Sequence, residues 1–284
     1  MIIFKGNETT AYRDPTCYFS CGVYYLLFTL SIKKDGYMYN HVAISQSTDL
    51  IVWSEPQIIT ETDRLKNFCS PGNVIERDGE KLICITSYPM PLTFAESSCA
   101  DHTARLYLMR TKDFRTFSSP EKIYAKGKAC PFDQEGRMID PFILEKDGTF
   151  LLFFKQRGIS LSVSTDLENW SYMGATSGGE NACVLQKDGA YLLIHSPENG
   201  IGLKTSTDLE QWKDLGVLTL EQTNWSWASG RLTAGFAMES HGRTKYKYIL
   251  FFHGSKQESV PETHGDATLA CVFTNDFQTF SFEP

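Results

Sequence analysis

Short runs of four or five apolar residues recur along the chain, each one preceded by a turn that ends in glycine. The runs are Tyr25-Leu-Leu-Phe28, Leu82-Ile-Cys-Ile85, Leu151-Leu-Phe-Phe154, Tyr191-Leu-Leu-Ile194 and Tyr248-Ile-Leu-Phe-Phe252. Continuous apolar stretches of this length indicate strands buried on both faces. The turns are Cys21-Gly22, Asp78-Gly79, Asp147-Gly148, Asp188-Gly189 and His241-Gly242. Asp-Gly is the strongest short hairpin signal, so each apolar strand is predicted to fold back on a strand that precedes it. A third strand follows in each unit: His41–Ser45, Arg105–Met109, Ile159–Val163, Ile201–Lys204 and Thr268–Val272.

Each third strand runs into the same phrase, an Asp followed four residues later by an aromatic. The pairs are Asp49 and Trp53, Asp113 and Phe117, Asp166 and Trp170, Asp208 and Trp212, and Asp276 and Phe280. Unequal spacing between copies places loops of different length in a common unit. A segment such as Glu55–Ile59 can form an outer strand after the phrase. Four antiparallel strands repeated radially make a β-propeller blade, and no stretch has sustained helical periodicity. The expected fold is all-β: a single five-bladed β-propeller over residues 1–284, with four-stranded antiparallel blades around a central channel. Only Ser281 to Pro284 follow Phe280, so the apolar Met1–Phe4 is predicted to supply the outer strand of blade five and close the ring. The repeated phrase reads as structural, because Asp suits a turn and an aromatic packs between blades.

Composition narrows the partners. The chain has 284 residues, 42% hydrophobic and 13% aromatic, with net charge −7 and no run of Lys or Arg, so a nucleic-acid or acidic-lipid partner is not expected. The N-terminal stretch lacks the basic segment and apolar run of an export signal, and no window has the apolar length of a membrane span; a cytoplasmic location is expected. Eight Cys show no metal-ligand spacing, and Cys84, Cys183 and Cys271 sit in apolar strands, so reduced core thiols are expected.

The chemistry is expected at the heads of the first strands, which line the axis of a propeller and converge at one mouth. Asp14 lies eight residues before Gly22 and Asp140 eight before Gly148, each followed by Pro. Two Asp-Pro pairs in matching register in a five-fold array point to a site rather than to two strand starts. Blade four offers Gly178-Gly179-Glu180-Asn181-Ala182, with Glu180 nine residues before its glycine, and blade two offers Ser70, likewise nine before Gly79. A one-residue offset in a regular strand reverses a side chain, so the diglycine or a bulge has to re-aim Glu180 inward. Three carboxylates at one mouth suit glycosidic hydrolysis, in which one carboxylic acid protonates the leaving oxygen and one carboxylate activates water.

Five blades, Arg13-Asp14-Pro15 in blade one, Ile139-Asp140-Pro141 in blade three and Gly179-Glu180-Asn181-Ala182 in blade four together resemble glycoside hydrolase family 43 and its relatives. The resemblance implies that Asp14 is the general base, Asp140 tunes and orients the acid, and Glu180 is the general acid. It also implies an inverting reaction on α-L-arabinofuranosides or β-D-xylosides, with no organic cofactor and at most a calcium ion in the channel. Two departures stand out: blade two has Cys69-Ser70-Pro71 where the family often has Trp-Ala-Pro, and blade four lacks a Pro soon after its Glu. Related family 117 shares this grammar with other sugars. A retaining fructosidase of the family 32 type and a non-catalytic sugar-binding propeller are the alternative readings.

Further candidates surround the mouth. Trp227 and Arg231, in the long connection into blade five, suit sugar stacking and hydroxyl recognition. Arg13 stands beside the proposed base, Ser70 heads blade two, and His253 ends the second strand of blade five, with His195 at the comparable place in blade four. The expected partner is a small carbohydrate.

Overall fold

The structure is a computed structural model, and it describes residues 1–62, 66–88, 92–93, 103–256 and 266–284. Its strands form five antiparallel sheets in chain order. In blade three the strands are Ile139–Lys146, Thr149–Lys155, Ile159–Ser164 and Ser171–Thr176, and in blade four Glu180–Lys187, Ala190–Ser196, Ile201–Ser206 and Lys213–Leu218. Blade one begins with Thr10–Ser20, and blade two begins with a strand broken into Asn67–Cys69 and Val74–Arg77, both pieces pairing with Glu80–Tyr88. Blade five is Arg231–Glu239, Tyr248–Ser255 and Thr268–Thr274, completed by Ile2–Phe4. The N-terminal strand therefore does close the ring: Ile2 lies opposite Ala270, and the Met1 ammonium donates to the Cys271 carbonyl at 2.6 Å. First strands touch one another around the axis.

The predicted hairpins form where the glycines fall. Cys21, Asp78, Asp147 and Asp188 have φ of 51, 52, 51 and 51°, and each is followed by a glycine that is also left-handed, which is the two-residue type I′ turn that matches strand twist. Blade five differs. Its first two strands pair last at Glu239 and Tyr248, so His241-Gly242 sits inside a longer loop rather than forming a two-residue turn. Apolar packing fills the spaces between blades: Leu26, Phe28, Ile249 and Phe251 join blades one and five, while Leu82, Cys84, Leu152 and Phe154 join blades two and three.

The repeated phrase is a turn device. In all five copies the Asp carboxylate accepts the backbone N–H groups two and three residues on, as Asp49 does from Ile51 and Val52 at 2.9 and 2.8 Å. The residue after each Asp (Leu50, Phe114, Leu167, Leu209 or Phe277) has positive φ. Trp53, Trp170 and Trp212 add an indole N–H bond back to the carbonyl of that residue. The seven described cysteines are unpaired. Among the described residues no helix is long and apolar enough to cross a membrane.

Candidate active site

One irregularity recurs at the head of every first strand. The ladder slips between Arg13 and Thr16, between Ile139 and Phe142, between Glu180 and Cys183, and between Ala234 and Phe236. The break between Cys69 and Val74 is the blade-two counterpart. Each bulge puts one residue out of the ladder and bends the strand towards the axis. The residues set inward are Asp14, Ser70, Asp140 and Asn181, with φ of 48, 47, 54 and 53° respectively, and Gly235 in blade five. Pro15, Pro71, Gly72, Pro141 and Ala182 join them around a gap of only about 10 Å³, room for roughly one water.

A second set of bonds fixes these heads to the neighbouring blade. Thr29 Oγ1 accepts the Ser70 N–H at 2.7 Å and Thr86 Oγ1 accepts the Asp140 N–H at 3.0 Å. Lys155 Nζ donates to the Gly178 carbonyl at 3.1 Å, Ser196 Oγ to the Ala234 carbonyl at 2.8 Å, and the Asp14 N–H donates to His253 Nδ1 at 3.2 Å. All five donors or acceptors lie on second strands, so each blade positions the next one's head. His253 thus acts on the site through the Asp14 backbone, as an acceptor whose Nδ1 carries no proton. Burial keeps this imidazole neutral, with its pKa lowered to about 3 as Arg13 and Arg231 add to burial and Asp14 opposes them.

Within the ring the two aspartates differ sharply. Asp14 Oδ2 accepts from Thr29 Oγ1 at 2.8 Å and Ser70 Oγ at 3.4 Å, and its Oδ1 accepts from Asn181 Nδ2 at 3.2 Å. Burial alone would raise its pKa, but the charge of Arg13 and the bonds from Thr29 and Asn181 win, bringing it down to about 2. Asp140 receives the Asn181 backbone N–H on Oδ2 at 3.3 Å. Its pKa is raised to about 7, first by burial and then by the charges of Glu180 and Asp14, with Ser70 and Arg137 opposing. Between about pH 2 and about pH 7 a charged carboxylate and a protonated carboxyl therefore share one ring.

Glu180 occupies a different position. The bulge in blade four aims Asn181, not Glu180, into the ring; Glu180 lies one residue earlier, opposite Ser196, as Arg13 lies opposite Thr29. Its side chain is one-third exposed and pairs with Arg231, Nη2 to Oε2, at 3.3 Å. Gly179 has no room for a Cβ against the Ser196 carbonyl, which explains one of the two glycines in Gly178-Gly179. Glu180 opens into a cavity of about 510 Å³ that is also lined by Lys155, Ser177, His195, Lys204, Asp214 and Arg231. Glu180 and Asn181, neighbours in the chain, line the large cavity and the small gap respectively.

The structure thus brings Arg13, Asp14, Ser70, Asp140, Glu180, Arg231 and His253 together around one mouth. Arg13 donates through Nη2 to Ser31 at 3.2 Å and to Asn40 at 3.4 Å while its charge bears on Asp14. Trp227 lies elsewhere: it stacks on Trp225 at 5.2 Å and on Phe252 at 6.1 Å, and lines neither cavity at the mouth. Sequence reasoning missed Asn181, which bridges both aspartates, although it lies eight residues before Gly189 in the register of Asp14 and Asp140. A calcium ion in this ring would need six or more oxygen ligands. The Asp14 oxygens already face three donors, and among the described residues no group of three or more His, Cys, Asp or Glu is placed to hold a metal.

Residues 9–199 match a family model described as "Probable glycosyl hydrolase domain", related to glycoside hydrolase family 43. No curated protein sequence matches the chain. Among solved structures, a family 43 enzyme from Xanthomonas citri complexed with xylotriose aligns over 99% of this chain and 92% of its own, at TM-score 0.67 and 13% identity. A family 117 glycoside hydrolase from the marine bacterium Zobellia galactanivorans aligns over 94% of this chain and 86% of its own, at TM-score 0.65 and 15% identity. A family 43 β-1,3-galactosidase with galactodeoxynojirimycin aligns over 99% and 98%, at TM-score 0.64 and 12% identity. At these identities the likeness is one of fold.

Proposed function

The chain belongs to the glycosyl hydrolase 43-related family, and from that premise we propose an inverting exo-glycosidase acting on small pentosides of the α-L-arabinofuranoside or β-D-xyloside type. That it is a glycoside hydrolase follows from the family; the pentoside and the inversion are our reading. The observation that carries it is the division of labour at the mouth, where Asp14 is half-buried and ionised, Asp140 is buried and holds its proton to about pH 7, and Glu180 faces an open cavity. In this reading the narrow gap holds the water that Asp14 orients, and the larger cavity holds the substrate. A cavity of a few hundred cubic ångströms is the usual size for a small ligand.

Glu180 then serves as general acid to the bridging oxygen, drawing protons from solvent through its own cavity, and Asp14 accepts the proton of the attacking water. Asp140, carrying a proton between the two, sets the field in which both act. Ser70 and Asn181 hold the Asp14 carboxylate in place, and Arg13 keeps it charged. The reading is tested on p-nitrophenyl glycosides, including α-L-arabinofuranoside and β-D-xyloside, with proton NMR of the first-formed sugar. We expect turnover of a pentoside with the inverted anomer appearing first. A retained anomer overturns the base role of Asp14 and requires a covalent nucleophile; binding without turnover of any glycoside would leave a sugar-binding propeller.

A further inference from the structure

The cavity beside Glu180 is walled by three cations, Lys155, Lys204 and Arg231. Buried Lys204 is tied to Asp214 at 3.1 Å and to the Ser177 hydroxyl at 3.2 Å. Among the described residues Arg231 pairs with Glu180 alone of the carboxylates, at 3.3 Å. Lys155 reaches only the Gly178 carbonyl and is in no ion pair among the described residues. His195, on the same wall, registers the field: burial and then the charges of Lys204 and Lys155 lower its pKa to about 4, with Asp214 opposing. Glu198, also on the lining, is exposed to solvent.

A carboxylate in an ion pair does not donate a proton. For Glu180 to protonate a leaving oxygen, Arg231 has to let go of it, and something else has to take the guanidinium. A neutral sugar offers hydroxyls that compete poorly with a carboxylate. A second carboxylate competes well, because a guanidinium binds it through paired N–H bonds and an adjacent ammonium adds a point charge.

We propose that this cavity takes a carboxylate-bearing sugar, a uronic acid residue, in the leaving-group position, with Lys155 and Arg231 as its anion-binding pair. The proposal rests on Glu180 being the general acid, since the acid's cavity then holds the residue that departs. A pentosyl group carries no carboxylate, so the charge belongs to the leaving residue. On binding, the substrate carboxylate draws Arg231 from Glu180, and the acid is released for protonation only when the correct substrate is present. The products are a free pentose and a free uronic acid.

The test compares pentosyl-uronic acid disaccharides with their methyl esters, which keep shape and lose charge. Wild type is expected to favour the acid over the ester by about tenfold or more in kcat/KM, with the preference shrinking as salt is raised. Lys155→Met should bring the ratio near one, and Lys155→Arg should restore it, which separates lost charge from lost folding. In parallel, D-glucuronate and D-galacturonate are titrated by saturation-transfer NMR against D-glucose and D-galactose. Hydrolysis of aryl pentosides with no acid-over-ester preference overturns the uronate inference and leaves the glycosidase reading standing. Lys155-dependent binding of free uronate without turnover of any pentoside supports the cavity and overturns the catalytic reading of Glu180. Equal binding of acidic and neutral sugars overturns the inference outright.

Discussion

Aspartate is used in two rings of this propeller, and the rings have opposite physics. On the outside, Asp49, Asp113, Asp166, Asp208 and Asp276 each close the turn after the third strand, are exposed, and are held low by backbone N–H bonds. On the inside, the head positions read Asp14, Ser70, Asp140, Asn181 and Gly235, and their two aspartates diverge to about 2 and about 7. The donors of the outer ring come from the same turn, two and three residues on, so every copy is satisfied alike. The inner ring draws partners from other blades: Ser70 and Asn181 for Asp14, Thr86 and Asn181 for Asp140. A position whose environment is supplied by its neighbours can be specialised one blade at a time, and there the five-fold pattern is broken.

The largest effects are expected where the pattern is broken. Asp14→Ala removes the group that orients water, so turnover should fall on the order of 10²–10⁴-fold for every leaving group. Glu180→Ala should cripple glycosides with poor alkoxide leaving groups far more than aryl glycosides, whose phenolates depart with little protonation. Azide, a small nucleophile able to replace the water, is expected to revive Asp14→Ala partly and give a glycosyl azide of inverted configuration. Equal losses for both variants on both substrate types would erase the distinction between base and acid.

The outer ring was legible in the sequence and the inner ring only partly so, for the same reason. Local hydrogen bonding makes the Asp-x-x-x-aromatic phrase repeat in the chain, and counting from it recovers five blades, the hairpins of four of them and the closing strand Ile2–Phe4. The longer blade-five loop escaped, because a glycine after His241 signals a turn but not its length. At the heads, spacing from the turn glycine placed Asp14 and Asp140 correctly in one register. It also assigned Glu180 to the position that Asn181 holds, since carboxylate chemistry drew attention one residue early. Trp227 was expected against a sugar and stacks on Trp225 instead, a choice between two aromatic faces that local sequence does not record.

A middle-sized effect should appear in the pH dependence of stability, where the two inner aspartates pull in opposite directions. An aspartate in the unfolded chain ionises near about 3.9. Asp140 keeps its proton in the folded protein to about 7, so between those values the native state holds the extra proton. Its contribution is complete below about 4 and is lost as pH rises towards 7, with a slope of at most about 1.4 kcal/mol per pH unit. Asp14, depressed to about 2, contributes fully above about 4 and loses that contribution as pH falls towards 2. Urea titrations at pH 5 and pH 7.5 should show a smaller difference in unfolding free energy for Asp140→Asn than for wild type. Identical differences would mean that Asp140 titrates as an ordinary carboxyl, and the contrast inside the ring would vanish.

The smallest effect is the one that tests whether the outer ring is only structural. Asp49→Ala leaves the N–H groups of Ile51 and Val52 without their shared acceptor and removes the partner of the Ser47 hydroxyl. The turn is exposed, so water replaces part of what is lost, and Leu50 stays buried with its left-handed backbone. Loss of a capping acceptor in a chain of this size is expected to lower Tm by roughly 2–4 °C. Asp49→Asn keeps the acceptor oxygen and should recover most of that, because the turn uses an oxygen rather than a charge. Activity at a temperature well below Tm should be unchanged in both, since Asp49 touches neither the ring nor the cavity beside Glu180. A drop in kcat at full folding would show that the outer turns reach the site, and the division between a repeated frame and a specialised centre would have to be redrawn.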